Sequence, residues 1–158
     1  MNILFVCTGN ICRSPTGEAV LRRMADAAGL GDAVAIDSCG THAYHVGQPP
    51  DARARAAGER RGYDFSGQRA RQIAIADFDR FDLILAMDGG HLDRLRRAAP
   101  AGRGDRIRRF LEFAPGAGRR DVPDPYYGGP EDYELALDLI EAGCRGIVAM
   151  LLEERQTA

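Results

Sequence analysis

The chain has 158 residues, of which 45% are hydrophobic and 28% charged, a size and composition typical of one soluble globular domain spanning residues 1–158. Its formal net charge of −2 at pH 7 argues against nucleic-acid binding, which usually requires a basic surface. No apolar stretch approaches the roughly 20 residues that cross a bilayer, and residues 3–6 are too short for the apolar region of a signal peptide. We therefore expect a cytoplasmic protein without a membrane partner, in which the four cysteines are reduced and form no disulfide framework.

The first predicted elements are a strand and a helix joined by a short polar loop. Residues 3–6 form a continuous apolar run, typical of a strand buried on both faces, that ends at Cys7. Residues 8–10 are turn formers. Ser14 is then the predicted N-cap of a helix and Pro15 its first residue, because proline has no N–H to leave unpaired at that position.

Strands and helices alternate along the rest of the chain. The predicted strands are residues 34–36, 81–87 and 107–113, and the predicted helices are residues 52–61, 91–98 and 131–154. This alternation predicts an α/β fold, a flavodoxin-like doubly wound sheet of about four parallel strands with helices on both faces. Such sheets bind ligands at the carboxyl ends of their strands. Cys7, Asp88 and the loop after residue 113 are predicted to lie at that edge.

The segment from Cys7 to Ser14 joins a buried strand to a helix N-terminus, which is a ready anion site because free N–H groups and the helix dipole point the same way. Arg13 adds a planar fork that binds two phosphate oxygens together. The positive surroundings would stabilise Cys7 as a nucleophilic thiolate, and Ser14 could donate its hydroxyl to the sulfur. The predicted phosphate-binding loop comprises Thr8, Gly9, Asn10, Ile11, Cys12 and Ser14.

Other interpretations of this segment are weaker. Cysteine and arginine at this spacing also occur by chance, with the cysteine as a small core residue, but the preceding strand, the turn residues and Ser-Pro favour an oxyanion site. A Walker loop is excluded because the Gly-Lys-Ser/Thr ending is missing. Cys7, Cys12, His42 and His45 do not have the spacing of a structural zinc site. We therefore expect neither a metal nor a cofactor.

A second motif, Asp124-Pro125-Tyr126-Tyr127, lies 117 residues after Cys7 (124 − 7). A carboxylic acid at this point could protonate the leaving oxygen of a phosphate ester, and the resulting carboxylate could activate water. The dipeptide Asp-Pro alone commonly starts a turn. The two adjacent tyrosines instead favour a loop that faces a ligand or partner.

The sequence resembles the low-molecular-weight protein-tyrosine phosphatases over essentially its whole length. The resemblance implies hydrolysis of protein phosphotyrosine through a phosphocysteine intermediate, with Cys7 as nucleophile, Arg13 as phosphate clamp and Asp124 as general acid and base. The motifs that carry it are CTGNICRSP at residues 7–15, SCGT at 38–41, Val46-Gly47 before Pro49-Pro50, and DPYY at 124–127.

The resemblance also implies supporting and substrate-binding residues. Asn10, Ser14 and Ser38 would hold the loop through hydrogen bonds. The phenyl ring would stack in a pocket deep enough that phosphoserine does not reach the sulfur. The implied pocket walls are Ile11, Tyr44, Tyr126 and Tyr127.

Two positions depart from the family pattern. Many members carry Trp where Tyr44 stands, which bears on substrate preference, and relatives often have His where Gln68 stands, so the hydrogen bonds that support the loop are expected to differ. The implied partner is a phosphotyrosine-bearing protein, and a bacterial tyrosine kinase or a host protein are both conceivable. We expect a monomer and leave weak self-association through Tyr126 and Tyr127 open.

Cys12 has two open interpretations. It is either a small packing residue or a redox partner whose thiol captures oxidised Cys7 as a disulfide. Cys39 and Cys144 are predicted to be packing residues.

Three rival functions share parts of the pattern. Arsenate reductases need two further cysteines in a downstream loop, and residues 70–95 contain none. Protein-arginine phosphatases place Thr where Ile11 stands, to hydrogen-bond the guanidinium. A catalytically silent phosphate-binding domain is disfavoured because Cys7, Arg13 and Asp124 are all present.

Overall fold

The computed structural model describes residues 1–157, and four strands form one sheet in which every pairing is parallel. The central strand begins at Asn2, and Ile3 pairs with Ile36 on one side and with Leu83 on the other. The strand order is β2-β1-β3-β4, which confirms the predicted doubly wound sheet. The strands are β1 (Asn2–Cys7), β2 (Ala35–Gly40), β3 (Leu83–Ala86) and β4 (Ile107–Arg109).

Helices cover both faces of this sheet, as predicted. Ile3 and Phe5 of β1 are buried in one apolar cluster and the alternate residues Leu4 and Val6 in another, because successive side chains of a strand point to opposite faces. Helices α1 and α5 pack on the first side and α4 on the second. The helices are α1 (Arg13–Ala27), α2 (Ala52–Arg60), α3 (Asp77–Arg80), α4 (Gly89–Ala98) and α5 (Pro130–Thr157). Among the residues described, no helix combines the length and the apolar character that a bilayer span would need.

The start of α1 differs from the prediction. The helix begins at Arg13 with Cys12 at the N-cap position and no side-chain cap, so Ser14 is not the N-cap. Pro15 is tolerated inside the first turn because the first four N–H groups of a helix have no partner within it. The Ser14 hydroxyl is instead turned toward Cys7 and Asn10.

Other boundaries were also wrong. The second strand extends to Gly40, beyond the predicted residue 36. The prediction ended too early because the strand continues with polar residues, which an apolar pattern does not detect. The fourth strand stops at Arg109, and residues 110–113 form a 3-10 turn. Phe110 and Leu111 are both buried in the cluster beneath α5, whereas a strand would have sent them to opposite faces. Helix α3 was missed because four residues are too few to show a helical period.

Candidate active site

Cys7 ends β1 at the bottom of the predicted loop, with 3% of its surface exposed. Its Sγ lies 2.9 Å from the Ser14 Oγ. Asn10 Nδ2 donates to the same Oγ at 2.8 Å, so the Ser14 proton is free to point at a Cys7 thiolate or at the carbonyl of Cys39, 3.2 Å away. The hydroxyl therefore has the geometry to stabilise negative charge on the sulfur.

Asn10 is the centre of the loop's support. It is buried and has a φ of 59°, in the left-handed region that asparagine tolerates better than most residues. Its Nδ2 donates to Ser38 Oγ at 3.0 Å as well as to Ser14, and its Oδ1 accepts from the Arg71 backbone N–H. The structure thus brings together the three predicted support residues.

The support continues to two residues beneath the loop. Ser38 Oγ donates to Glu18 Oε1 at 2.7 Å, and burial raises the pKa of Glu18 although Ser38 and Arg22 oppose the rise. Gln68 Nε2 donates to the Pro15 carbonyl at 3.0 Å. Gln68 therefore holds the first turn of α1. The sequence analysis did not find Glu18, because a carboxyl at this point in α1 looks like an ordinary surface charge.

Arg13 is a buried cation, 4% exposed. Its Nη1 donates to Asp88 Oδ2 at 2.8 Å and to the Val122 carbonyl at 2.9 Å. Burial would raise the pKa of Asp88, but contacts with His91 and Arg13 outweigh it and hold the pKa below its ordinary value. Arg13 Nη2 lies 3.7 Å from Asp124 Oδ2, too far for a hydrogen bond. One side of the fork is thus fixed and the other is free for a phosphate.

The side chains over this cradle form an open cleft. Its floor belongs to the predicted phosphate-binding loop, and its walls include every pocket residue that the resemblance implied. The lining residues are Cys7, Thr8, Gly9, Ile11, Cys12, Arg13, Tyr44, His45, Asp124, Tyr126 and Tyr127. Tyr126 is partly buried with the Arg53 guanidinium 5.2 Å from its ring centroid, whereas Tyr127 is 93% exposed.

Two histidines were missed as part of this site. The His45 ring covers Gly9 so closely that a Cβ there would lie 2.7 Å from its Cδ2 and would require the ring to move. His91 is buried beneath the loop, with Nε2 2.9 Å from Thr8 Oγ1. Neither residue carries a sequence signal beyond its position near a motif, although His91 stands three residues after Asp88.

All four cysteines are buried and unpaired. Burial, Asp51 and Cys7 together raise the pKa of Cys12 to about 12, so its thiol is protonated at neutral pH. Cys39 and Cys144 are completely buried in the two apolar clusters, in keeping with their predicted packing role.

Comparison with known proteins identifies the family. Residues 2–157 match the family described as low molecular weight phosphotyrosine protein phosphatase. The chain belongs to this family. It is therefore a protein-tyrosine phosphatase by family, a class of phosphoric monoester hydrolases.

Relatives support this membership at the level of sequence and structure. A low molecular weight protein-tyrosine-phosphatase of Streptomyces coelicolor is 44% identical over 155 residues, covering 96% of this chain and 94% of that protein. A protein tyrosine phosphatase from Entamoeba histolytica has a TM-score of 0.94 at 37% identity, with 98% and 99% of the two chains covered. Wzb of Vibrio vulnificus, solved with benzylphosphonate, has a TM-score of 0.81 at 32% identity, with 94% and 97% covered.

The role of Asn10 can be tested by two substitutions. Asn10→Ala removes the hydrogen bonds and also strains the left-handed backbone, so we expect a loss of about 3 kcal/mol in the free energy of unfolding. Asn10→Gly removes the same bonds without the strain and should lose about 1–2 kcal/mol less. Both variants should also lower kcat. Urea unfolding and turnover of an aryl phosphate measure these effects, and wild-type turnover in both variants would contradict the supporting role.

Because His91 is buried, the free energy of unfolding should fall as the pH is lowered. Burial lowers the pKa of His91 to about 4 against the opposing effect of Asp88, whereas a histidine of the unfolded chain titrates near 6.5. As the pH falls through this window the unfolded state binds a proton that the folded state does not, so stability falls with it. Between pH 7 and pH 5 the wild type should lose about 2 kcal/mol more than His91→Gln in urea unfolding. Parallel curves for the two proteins would contradict a neutral buried histidine.

Proposed function

We propose that the protein hydrolyses phosphotyrosine through a phosphocysteine on Cys7, with Arg13 binding the phosphate and Asp124 acting first as acid and then as base. The observation that carries the proposal is the position of Arg13. Its guanidinium is fixed on one side by Asp88 and Val122 and faces Asp124 at 3.7 Å on the other. A phosphate in the cradle would therefore lie between the nucleophile and a carboxyl at the mouth of the cleft.

In the first step the Cys7 thiolate attacks phosphorus, and an S–P bond forms as the bond from phosphorus to the tyrosine oxygen breaks. The leaving phenolate is a poor leaving group unless it gains a proton, which protonated Asp124 supplies. Asp124 is exposed enough, with 47% of its side chain accessible, to exchange protons with water. The backbone N–H groups at the start of α1 and the Arg13 fork stabilise the oxygens of the transferring group.

In the second step water attacks the phosphocysteine. Asp124, now a carboxylate, takes a proton from that water, and the S–P bond breaks to release inorganic phosphate and the thiolate. The Ser14 hydroxyl, 2.9 Å from Sγ, donates to the sulfur as it becomes negative and so makes it a better leaving group.

The cleft suits an aromatic phosphate ester. Ile11 is apolar and almost buried, and Tyr126 and Tyr44 supply ring faces at the walls. The related Wzb of Vibrio vulnificus was solved with benzylphosphonate, which carries a phenyl ring on a phosphonate. This supports a flat ring as the group held above the sulfur, presented by a phosphotyrosine-bearing protein.

The proposed role of Asp124 as general acid can be tested with two substrates whose leaving groups differ in acidity. Asp124→Asn cannot give a proton, so kcat for a phosphotyrosine peptide should fall by about 10²–10³-fold. An aryl phosphate with a strongly acidic phenol leaves without a proton, and its kcat should fall by less than about tenfold.

The matched control is Cys7→Ser, which removes the nucleophile and should abolish turnover of both substrates alike. Equal losses for the two substrates in Asp124→Asn would remove Asp124 as the acid. Near-normal turnover by Cys7→Ser would contradict the phosphocysteine mechanism.

We also propose that Cys12 protects Cys7 from irreversible oxidation. Peroxide converts the Cys7 thiolate to a sulfenic acid, and the Cys12 sulfur then attacks it, forming the disulfide as water leaves with the Cys12 proton. The charge of Cys7 is one of the causes that raise the pKa of Cys12, after burial and Asp51, and oxidation of Cys7 to a neutral sulfenic acid removes that contribution.

Mass spectrometry of the peptide that spans residues 1–13 tests this proposal. After mild peroxide treatment the peptide should lose two hydrogens, and reductant should restore both its mass and the activity. Cys12→Ser should instead accumulate sulfinic acid at Cys7. Sulfinic acid in the wild type beside a reduced Cys12 would return Cys12 to a packing role.

A further inference from the structure

His91 is a buried polar residue that the proposed reaction does not use. It lies in the first turn of α4 with 4% of its surface exposed, and its side chain contacts two parts of the active site. Nε2 is 2.9 Å from the Thr8 Oγ1 of the phosphate-binding loop. Nδ1 is 3.2 Å from the Asp88 Oδ1 without forming a hydrogen bond to it. Because Asp88 Oδ2 accepts from Arg13 at 2.8 Å, a continuous chain of polar contacts runs from Thr8 to the arginine.

The charges around the ring select one tautomer. The Asp88 carboxylate, 3.2 Å from Nδ1, would repel a lone pair on Nδ1, so its negative charge favours the tautomer with the proton there, although Nδ1 forms no hydrogen bond. Nε2 is then an acceptor, and the Thr8 hydroxyl donates to it. Burial lowers the pKa of His91 to about 4, which keeps this neutral form populated above about pH 5.

The contact with Thr8 bears on the orientation of the loop backbone. The Thr8 carbonyl accepts from the His42 N–H at 3.0 Å and the Cys7 carbonyl from the Thr41 N–H at 2.9 Å. These bonds fix one edge of the Cys7–Thr8 segment, and the Thr8 hydroxyl fixes the other.

We propose that His91 is a positioning residue that couples the phosphate-binding loop to the Arg13 clamp, by accepting a hydrogen bond from Thr8 and facing Asp88 with its other nitrogen. This deepens the proposed function and rests on it. The coupling orients the loop N–H groups and the guanidinium toward the same phosphate. His91 itself does not touch the substrate.

A purely structural role for His91 makes a different prediction. Asp88 already caps α4 by accepting from the His91 backbone N–H at 3.0 Å, and this bond survives any side-chain substitution. If His91 only filled space, His91→Leu would keep the site intact. If it only stabilised α4, any equal destabilisation of that helix would have the same effect on activity.

The experiment measures the inhibition constant of inorganic phosphate and the kinetics of phosphotyrosine hydrolysis. His91→Leu should weaken phosphate binding by about tenfold and raise KM more than it lowers kcat, because the loss falls on oxyanion binding. His91→Gln places an acceptor oxygen near the position of Nε2 and should restore most of the affinity for phosphate.

Thr8→Val should weaken phosphate binding by a similar factor. Because the two side chains would act through one hydrogen bond, the Thr8→Val/His91→Leu double variant should bind phosphate no more weakly than either single variant.

Leu95→Ala is the matched control, since Leu95 is buried on the same helix in the apolar cluster beneath the sheet. It should lower stability at least as much as His91→Leu and leave phosphate binding unchanged. Unchanged phosphate affinity in His91→Leu, or additive losses in the double variant, would overturn the proposal. Direct titration with phosphate by calorimetry distinguishes failure of the His91 proposal from failure of the proposed function. If the protein does not hydrolyse phosphotyrosine but its phosphate binding depends on His91, only the proposed function is contradicted.

Discussion

A buried guanidinium costs several kcal/mol unless its charge and its hydrogens are compensated, and Arg13 is 4% exposed. The compensation is one-sided. Asp88 and the Val122 carbonyl take up one Nη, and the other faces the cleft. The arrangement around Arg13 draws on three separate parts of the chain: the start of α1, the end of β3 and the loop before Asp124. The parallel sheet brings these parts to one edge, where the arginine from α1 takes its partners from the other two.

The loop itself depends on a second compensation, that of backbone strain. Asn10 occupies a left-handed conformation that costs a non-glycine residue about 1–2 kcal/mol. Its amide offsets this cost by bonding Ser14, Ser38 and the Arg71 backbone. Those bonds also determine where the Ser14 hydroxyl points and hence which atom stabilises the sulfur. Cys7 and the strain of its loop are thus linked through the Asn10 side chain.

The sequence allowed the central features to be predicted because they are local. The run that ends at Cys7 identified β1, and alternating strands and helices identified the sheet. Cys7, Arg13 and Asp124, which the structure places around one cleft, lie within motifs whose residue types rarely occur together for another purpose. What could not be predicted depends on tertiary contacts. Glu18, His45 and His91 become part of the site only because α1, the loop after β2 and α4 pack there. Ser14 was wrongly predicted to be a helix N-cap. A serine before proline is equally suited to capping a helix and to bonding within the loop, and only its contacts with Cys7 and Asn10 show that it does the second.

The charges of the site also bear on the order of events in the proposed mechanism. With Cys7 as a thiolate and both Asp88 and Asp124 ionised, three negative charges surround the single positive charge of Arg13. A phosphate dianion entering this arrangement would be repelled. Asp88 keeps its charge, because its contacts with His91 and Arg13 hold its pKa low, and Cys7 must keep its charge to attack. Asp124 lies at the rim of the cleft with its Oδ2 3.7 Å from the Arg13 Nη2, so an entering phosphate would compete with this carboxyl for the guanidinium. In the proposed mechanism the substrate therefore takes the side of Arg13 that Asp88 and the Val122 carbonyl leave free.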